Sequence, residues 1–319
     1  MEMENHFDVI VIGGGPAGLT AGIYLSRAKL NTLILNEGTA GGQLILTHEV
    51  ANYPGYESIS GYELARNMKS QAQKFGCKIR SNIKISSLDL KDDIKKVIIN
   101  GEETFTSYAV ILAMGGRSRT IGAPCEEKFK GKGISYCATC DGDFFQDKEI
   151  IVVGGGNSAL EEAVSLTKYA SKVTIVHQFD HFQAFEHYVN EAKKNSKINF
   201  IMESEITEFI GTEKLSSVKI QNQRTGEITE MNIDGVFIFI GYVPNTENLE
   251  GIVNLNKWKE IVVDSNLMTN VTGVYAGGDC VPKKYRQITT AVSDGTVAAL
   301  SAAEFINNLK KQDEYPVMS

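Results

Sequence analysis

The sequence predicts an α/β protein built from two doubly wound units. Two observations carry that reading: a strand, a glycine-rich turn, a helix and a second strand follow one another at the N-terminus, and the same series returns about 140 residues later. A third is the glycine content, 30 of 319 residues against 6 prolines, where globular chains usually hold ~7% glycine. The length suits two buried cores. A recurrence spaced this widely is one architecture used twice, not a short-period solenoid.

Taken in order, Phe7 to Ile12 reads as a strand, Gly13-Gly14-Gly15-Pro16-Ala17-Gly18 as a turn, the run to about Ala28 as a helix and Thr32 to Leu35 as a strand. Residues 77 to 112 read as short alternating strands: Lys78 to Ile85, Lys96 to Ile99, Phe105, and Val110 to Ala113. In the second unit Glu149 to Val153 is the strand, Gly154 to Ala159 the turn, Leu160 to Tyr169 the helix and Lys172 to His177 the next strand, with a matching set of short strands over 198 to 243. Val274 to Asp279 is a further strand-to-turn, before a long helix from about Ile288 to Leu309. The first domain is thus expected to be discontinuous, 1–117 and 248–319, with the second, 118–247, inserted into it. No low-complexity linker separates them.

Composition excludes several classes. A net charge of −7 offers no basic field for a phosphate backbone, so nucleic acid is not an expected partner. No apolar run reaches the ~18 residues of a membrane span; Val236 to Ile240 is only strand-sized. The N-terminus, Met1-Glu2-Met3-Glu4-Asn5-His6, is acidic and lacks an apolar stretch, which is not a secretory signal, so a cytoplasmic location is expected. Five cysteines, Cys77, Cys125, Cys137, Cys140 and Cys280, are too few and too scattered for a disulfide framework.

Gly13, Gly15 and Gly18 have the G-x-G-x-x-G spacing that lets a pyrophosphate sit on backbone N–H groups at a helix start. Glu37, 19 residues past Gly18, is placed to accept ribose hydroxyls. Gly154, Gly156 and Ala159 form the variant G-x-G-x-x-A; whether this second fold still binds a dinucleotide is a separate question. Cys137-Ala138-Thr139-Cys140 at a helix start can close and open a small disulfide by thiolate exchange, and Asp141 beside it can give or take the proton. A zinc site is not expected, because there is no second C-x-x-C and no histidine within twenty residues of the pair. His177, His181 and His187 lack a further ligand and read as surface histidines. Cys77 and Cys125 read as structural, Cys280 as a small residue filling its turn, and Trp258 as packing.

Taken together these residues resemble the low-molecular-weight thioredoxin reductases, FAD-containing disulfide oxidoreductases, over nearly the whole chain. The resemblance rests on Gly13 to Gly18, Gly41-Gly42-Gln43-Leu44, Asn52-Tyr53-Pro54-Gly55, Cys137 to Gly142, Gly154 to Ala163, Gly241 to Thr246, Gly277-Gly278-Asp279 and Tyr285-Arg286-Gln287. It implies two Rossmann-like three-layer domains of the FAD/NAD(P) type, FAD in the discontinuous one, the redox disulfide in the inserted one, thioredoxin as substrate, and a homodimer. Carried over by position, Gly13, Gly15, Gly18, Gly42, Gln43 and Asn52 are implied FAD contacts, with Glu37 a further one. Asp279 would hold the ribityl or pyrophosphate region, and Arg286 and Gln287 would lie against the flavin. Cys140 would face the flavin, Cys137 would attack the substrate disulfide, and Asp141 would be the acid/base. The short connections near 117 and 247 would be a hinge.

One stretch departs from the family. NADPH-dependent members carry His-Arg-Arg-x-x-x-Arg after the second unit's second strand, whereas this chain reads His177-Gln178-Phe179-Asp180-His181-Phe182-Gln183. No Lys or Arg occurs from His177 to Asn190, while Asp180 and Glu186 add negative charge. Each charged hydrogen bond contributes roughly 1.5 to 3 kcal/mol, so losing two or three weakens 2′-phosphate binding by several kcal/mol. The departure resembles the pyridine-nucleotide-independent subgroup and favours reduced ferredoxin as electron donor, with NADPH or NADH as alternatives. An FAD-dependent dithiol oxidase and a redox sensor without turnover are the competing functions. The polar tail from Lys310 to Ser319 reads as a frayed terminus, with Tyr315 as the one ring that could cover a flavin face.

Overall fold

Strand β1 (His6–Ile12) forms because its β-branched residues suit a fully enclosed strand, and Val9 to Ile12 are buried with alternate side chains entering two different cores. This computed structural model describes residues 5–47 and 49–314. The expectations placed on the residues before Asn5 and on Tyr315 lie outside them. Proline at its first position starts α1 (Pro16–Arg27), and β2 (Thr32–Asn36) follows. Ser60 accepts the Glu63 N–H at 3.2 Å to cap α2 (Gly61–Lys74). Then come β3 (Lys78–Ser81), β4 (Ile85–Asp89), β5 (Lys95–Ile99) and β6 (Glu103–Leu112).

The short β7 (Gly116–Ser118) carries the chain out of this first unit, which ends at Arg117 and resumes at Val243. The second unit is Ser118–Tyr242. It contains α3 (Glu126–Phe129), β8 (Ile134–Ser135), α4 (Ala138–Asp141), β9 (Glu149–Val153), α5 (Asn157–Leu166), β10 (Lys172–Val176), α6 (Glu186–Lys194) and β11 (Ile198–Ile201). A three-stranded antiparallel meander, β12 (Ser204–Gly211), β13 (Leu215–Asn222) and β14 (Ile228–Asn232), precedes β15 (Gly235–Ile238). The return strand is β16 (Tyr242–Pro244), and β17 (Val274–Ala276) and α7 (Ile288–Glu314) complete the first unit.

The first unit's sheet runs β3-β2-β1-β6-β5-β4, with β17 also on β6. Strand β6 serves two partners: its first half pairs antiparallel with β5 and its second half, Val110 to Leu112, parallel with β17. That is why one ten-residue strand stands where the sequence suggested two fragments. The opposite happened at Lys78 to Ile85, which breaks into β3 and β4 because Asn82 turns left-handed at φ +58°. Helices α1, α2 and α7 cover one face, where Ala298, Ala299, Ala302 and Ala303 of α7 share a core with Leu19 and Leu25 of α1. The other face packs Ile10, Ile12, Leu33 and Leu35 against Leu249, Val253 and Ile261. Trp258 is not part of that packing: its turn, held by Asn256, leaves it 64% exposed with the Lys257 ammonium 4.2 Å over the ring.

The second unit has an all-parallel sheet, β11-β10-β9-β15-β8. Leu160, Ala163 and Leu166 of α5, with Ala192 of α6, close one face, and the meander with Phe129 closes the other. Both units are thus doubly wound layers, as the glycine turns predicted. Among the described residues no helix is long and apolar enough to cross a membrane.

Helix α7 meets α1 at backbone distance, since a Cβ on Gly295 would lie 2.2 Å from the Ala17 carbonyl oxygen. Gly295→Ala should therefore lower stability by about 1–3 kcal/mol. Gly38→Ala, whose Cβ meets nothing within 4 Å, should stay within about 0.5 kcal/mol. Urea unfolding of the two variants checks this; equal midpoints would refute the close contact.

Candidate functional site

The first glycine turn is built by backbone fitting backbone. Gly13, at φ +106°, donates its N–H to the Leu35 carbonyl at 2.8 Å, and a Cβ there would fall 2.2 Å from the Ala113 oxygen. A Cβ on Gly18 would fall 1.9 Å from the Gly13 oxygen, so α1 can start this close to β1 only with glycine at both positions. Gly15, the N-cap of α1, has no side-chain cap, and a Cβ there would meet only the Gly42 Cα at 3.8 Å. The first N–H groups of α1 thus face a cradle free of side chains, the surface a pyrophosphate requires.

Other expected residues gather around it. Gly41 donates its N–H to the Gly14 carbonyl at 2.7 Å, which brings Gly42 against Gly15, and the Gln43 amide donates to the Gly116 carbonyl at 3.2 Å. Asn52 Nδ2 reaches Gln287 Oε1 at 3.4 Å, and Arg286 pairs with the buried Glu260 at 2.5 Å. Asp279 is half-buried after Gly278, whose N–H donates to Asp294 of α7 at 2.8 Å. Glu37 does something else: its Oε1 accepts the Ile85 N–H at 3.0 Å. Asn36, one residue earlier, is the side chain that reaches the turn, accepting the Gly14 N–H at 2.7 Å.

The second unit carries the disulfide. Cys137 and Cys140 are joined, with Cα atoms 5.3 Å apart. Cys137 is the N-cap of α4, and its Sγ accepts the Cys140 N–H at 3.2 Å. Beside the pair, Asp141 Oδ2 accepts the hydroxyl of the buried Ser135 at 2.5 Å. Burial pushes the Asp141 carboxyl above its ordinary range, the Ser135 hydrogen bond pulls it back, and the Asp143 charge pushes it up. The next residue, Tyr136, donates its hydroxyl to buried Glu126 at 2.6 Å, and Glu126 also accepts the N–H groups of Ile121 (3.0 Å) and Gly122 (2.7 Å).

The second glycine turn differs from the first in what lies on it. A Cβ on Gly155 would fall 2.4 Å from the His177 ring, so that ring lies directly against the turn. His177 is buried, not on the surface as expected, because it directly follows β10 beside Gly155 and stacks on Phe182 with centroids 5.8 Å apart and Phe179 edge-on at 5.4 Å. Its Nε2 lies 3.1 Å from the His181 carbonyl oxygen. Burial lowers the imidazole below its ordinary pKa, which leaves it uncharged at neutral pH. Gln183 donates its N–H to the Gly155 carbonyl and Phe185 to the Asn157 side chain, both at 2.8 Å, fastening this aromatic segment across the turn.

Residues 7–295 match the model of the pyridine nucleotide-disulphide oxidoreductases. The chain belongs to that family. Within it, the chain is 46% identical to a 34.2 kDa protein in the rubredoxin operon of Clostridium pasteurianum, covering 96% of this chain and 99% of that one. It is 43% identical to the thioredoxin reductase of Peptoclostridium litorale, over 96% and 99% of the two. Among solved structures it is similar to thioredoxin reductase from Streptococcus pyogenes MGAS5005, with a TM-score of 0.92, 38% identity and coverage of 95% and 99%.

For a disulphide oxidoreductase the three remaining cysteines are chemically distinct from the pair. Cys77 and Cys280 are buried, and burial pushes both thiols up to about 11, so they are neutral and unreactive near pH 7. Cys125, expected to be structural, is exposed at the left-handed turn before α3. Four polar residues at these sites escaped the sequence reading: Asn36, Glu126, Ser135 and Asp294. The strand-end position signalled Asn36 once its neighbour was considered; the other three act on partners that only the fold brings near.

Replacing Glu126 with glutamine puts an amide N–H₂ against one of three donors in a buried place. Glu126→Gln should destabilise the protein by about 1–3 kcal/mol, and Tyr136→Phe by about 1 kcal/mol. Urea denaturation measures both, and a Glu126→Gln midpoint equal to wild type would contradict the assignment.

Proposed function

We propose that the chain is a thioredoxin reductase that holds FAD on its discontinuous unit, acts as a homodimer, and takes electrons from reduced ferredoxin rather than from NADPH. The cradle at the start of α1, where Gly15 and Gly42 face one another without side chains, supports the FAD assignment. Gln43, Asn52, Asp279, Arg286 and Gln287 would complete that site, and Asn36 stands at the strand end where Glu37 was expected. Bound FAD supplies the two electrons that open the Cys137–Cys140 disulfide.

The single observation that carries the acceptor half is the bond from the Cys140 N–H to Cys137 Sγ. A backbone donor favours the thiolate form of Cys137, which makes it the attacking sulfur once the pair is reduced. The Cys137 thiolate attacks one sulfur of the thioredoxin disulfide, forming a mixed disulfide and expelling a thiolate that takes a proton from Asp141. Cys140 then gives its proton to the ionised Asp141 and attacks Cys137 Sγ, which re-forms the pair and expels the second thioredoxin sulfur as a thiolate that takes that proton up. Burial, by raising the carboxyl, favours its holding that proton.

The donor half rests on the second turn. Its strand end offers a neutral, buried His177 with Phe179 and Phe182 around it, and no Lys or Arg up to Asn190 to meet a 2′-phosphate. One observation favours the second reading, an NAD(P)H-dependent enzyme: Gly156, the N-cap of α5, has no side-chain cap and a Cβ there meets nothing within 4 Å.

Mixed anaerobically with reduced ferredoxin, the oxidised flavoprotein should bleach rapidly, and with NADPH or NADH it should not. Fast bleaching by micromolar NADPH or NADH would establish the second reading instead. Cys137→Ser should keep flavin reduction and lose thioredoxin turnover by several orders of magnitude; unchanged turnover would refute the role of Cys137.

A further inference from the structure

Ser135 sits at the end of β8, buried, two residues before the disulfide. Its Oγ lies 2.5 Å from Asp141 Oδ2, 3.1 Å from the Cys137 N and 3.3 Å from the Cys137 carbonyl oxygen. A serine hydroxyl has one proton to donate and lone pairs to accept. With Asp141 ionised, the hydroxyl proton goes to Oδ2 while Oγ accepts the Cys137 N–H. With Asp141 protonated, the carboxylic acid can donate to Oγ, and the hydroxyl proton can turn to the Cys137 carbonyl. Every polar group keeps a partner in both states.

We propose that Ser135 is a positioning residue for thiol–disulfide exchange, a hydroxyl that swings its proton between Asp141 and the Cys137 carbonyl so that the acid stays in place whether or not it holds its proton. The proposal rests on Asp141 being the acid/base of the exchange. It adds the group that keeps the carboxyl next to the sulfurs throughout a cycle, where otherwise the loss of a proton would break its contact and let it turn away. Keeping donor and acceptor fixed removes reorganisation from the proton transfer.

The electrostatics around the pair are simple enough to give a sign. Asp143, in the same segment, is the charged group that acts on Asp141. Helix α5, packed against α4, carries Glu161 and Glu162; Tyr169, just past its end, has its ring against Gly142, and β8 contributes Ser135. The hydroxyl favours the ionised carboxylate, so removing it raises the Asp141 pKa further.

The test uses the full-length FAD-loaded protein, reduced by two electrons with dithionite and mixed with oxidised thioredoxin in a stopped-flow cell across pH, so that no assumption about the donor enters. The expected wild-type profile has a limb set by Asp141. Ser135→Ala should move that limb to higher pH by about one unit, a tenfold change in proton affinity, and Ser135→Thr, which keeps the hydroxyl, should restore it. A Ser135→Ala profile superimposable on wild type overturns the proposal, as does an equal loss of rate at every pH in both variants. Asp141→Asn separates the two layers: it should abolish the limb, and if the limb survives, the acid/base reading itself has failed. Should Ser135→Ala not fold, infrared difference spectra of the wild type, assigned with Asp141→Asn, read the same contact. A carboxyl stretch typical of a hydrogen-bonded acid upholds the proposal, and that of a free acid overturns it.

Discussion

One contact between two stretches of backbone governs the larger unit: α1 begins with Gly18 pressed on the Gly13 carbonyl, in a space where a single Cβ would overlap an oxygen at 1.9 Å. That approach fixes where the first N–H groups of α1 point. It also fixes α7, because Gly295 rests on the Ala17 carbonyl of the same helix end and Asp294 beside it takes the Gly278 N–H. Gly13 and Gly18 from one end of the chain and Gly295 from the other thus converge on one helix start, each there because a methyl group would not fit. The side chains that surround them hold positions already set by backbone.

The inserted unit follows a different logic, in which two carboxylates, buried Glu126 and half-buried Asp141, hold the segment before the disulfide. Ser135 is tied to Asp141 and Tyr136 to Glu126, so the two residues leading into Cys137 are each anchored by an acid. Removing a carboxylate from water is expensive, and it is tolerated where donors replace the lost hydration. Glu126 receives three. Asp141 receives the Ser135 hydroxyl and stays shifted upward, which is the condition under which a carboxyl can keep a proton to deliver.

The elements legible in the sequence were those with a local physical signature. The strand, glycine turn and helix starting at Phe7 and again at Glu149 could be read because the period changes and the glycines stand at fixed offsets. Cys137 and Cys140 could be read because a three-residue separation already limits what the pair can do. Illegible were choices made by distant partners. Glu37 looked like the strand-end acid, yet the fold offers it the Ile85 N–H and leaves the turn to Asn36. His177 looked like a surface residue because no further metal ligand accompanies it, and it is buried because Gly155, 22 positions earlier, leaves room for its ring. Asn82 broke a strand that periodicity alone carried through, since a left-handed residue leaves no trace in an apolar pattern.

The divided first unit has a consequence for how the chain comes into being. Its sheet needs β17, paired at Val110 to Leu112 with residues from Val274 onward, and the apolar side of α1 needs the alanines of α7. Both are made last. Ser118–Tyr242, by contrast, is continuous in sequence and has every strand of its own sheet as soon as β15 leaves the ribosome. During synthesis the inserted unit can close while Leu19 and Leu25 of α1 still lack their cover, a long-separation contact of the kind that folds slowly and exposes apolar surface meanwhile. The unit that begins the chain is the last to be finished.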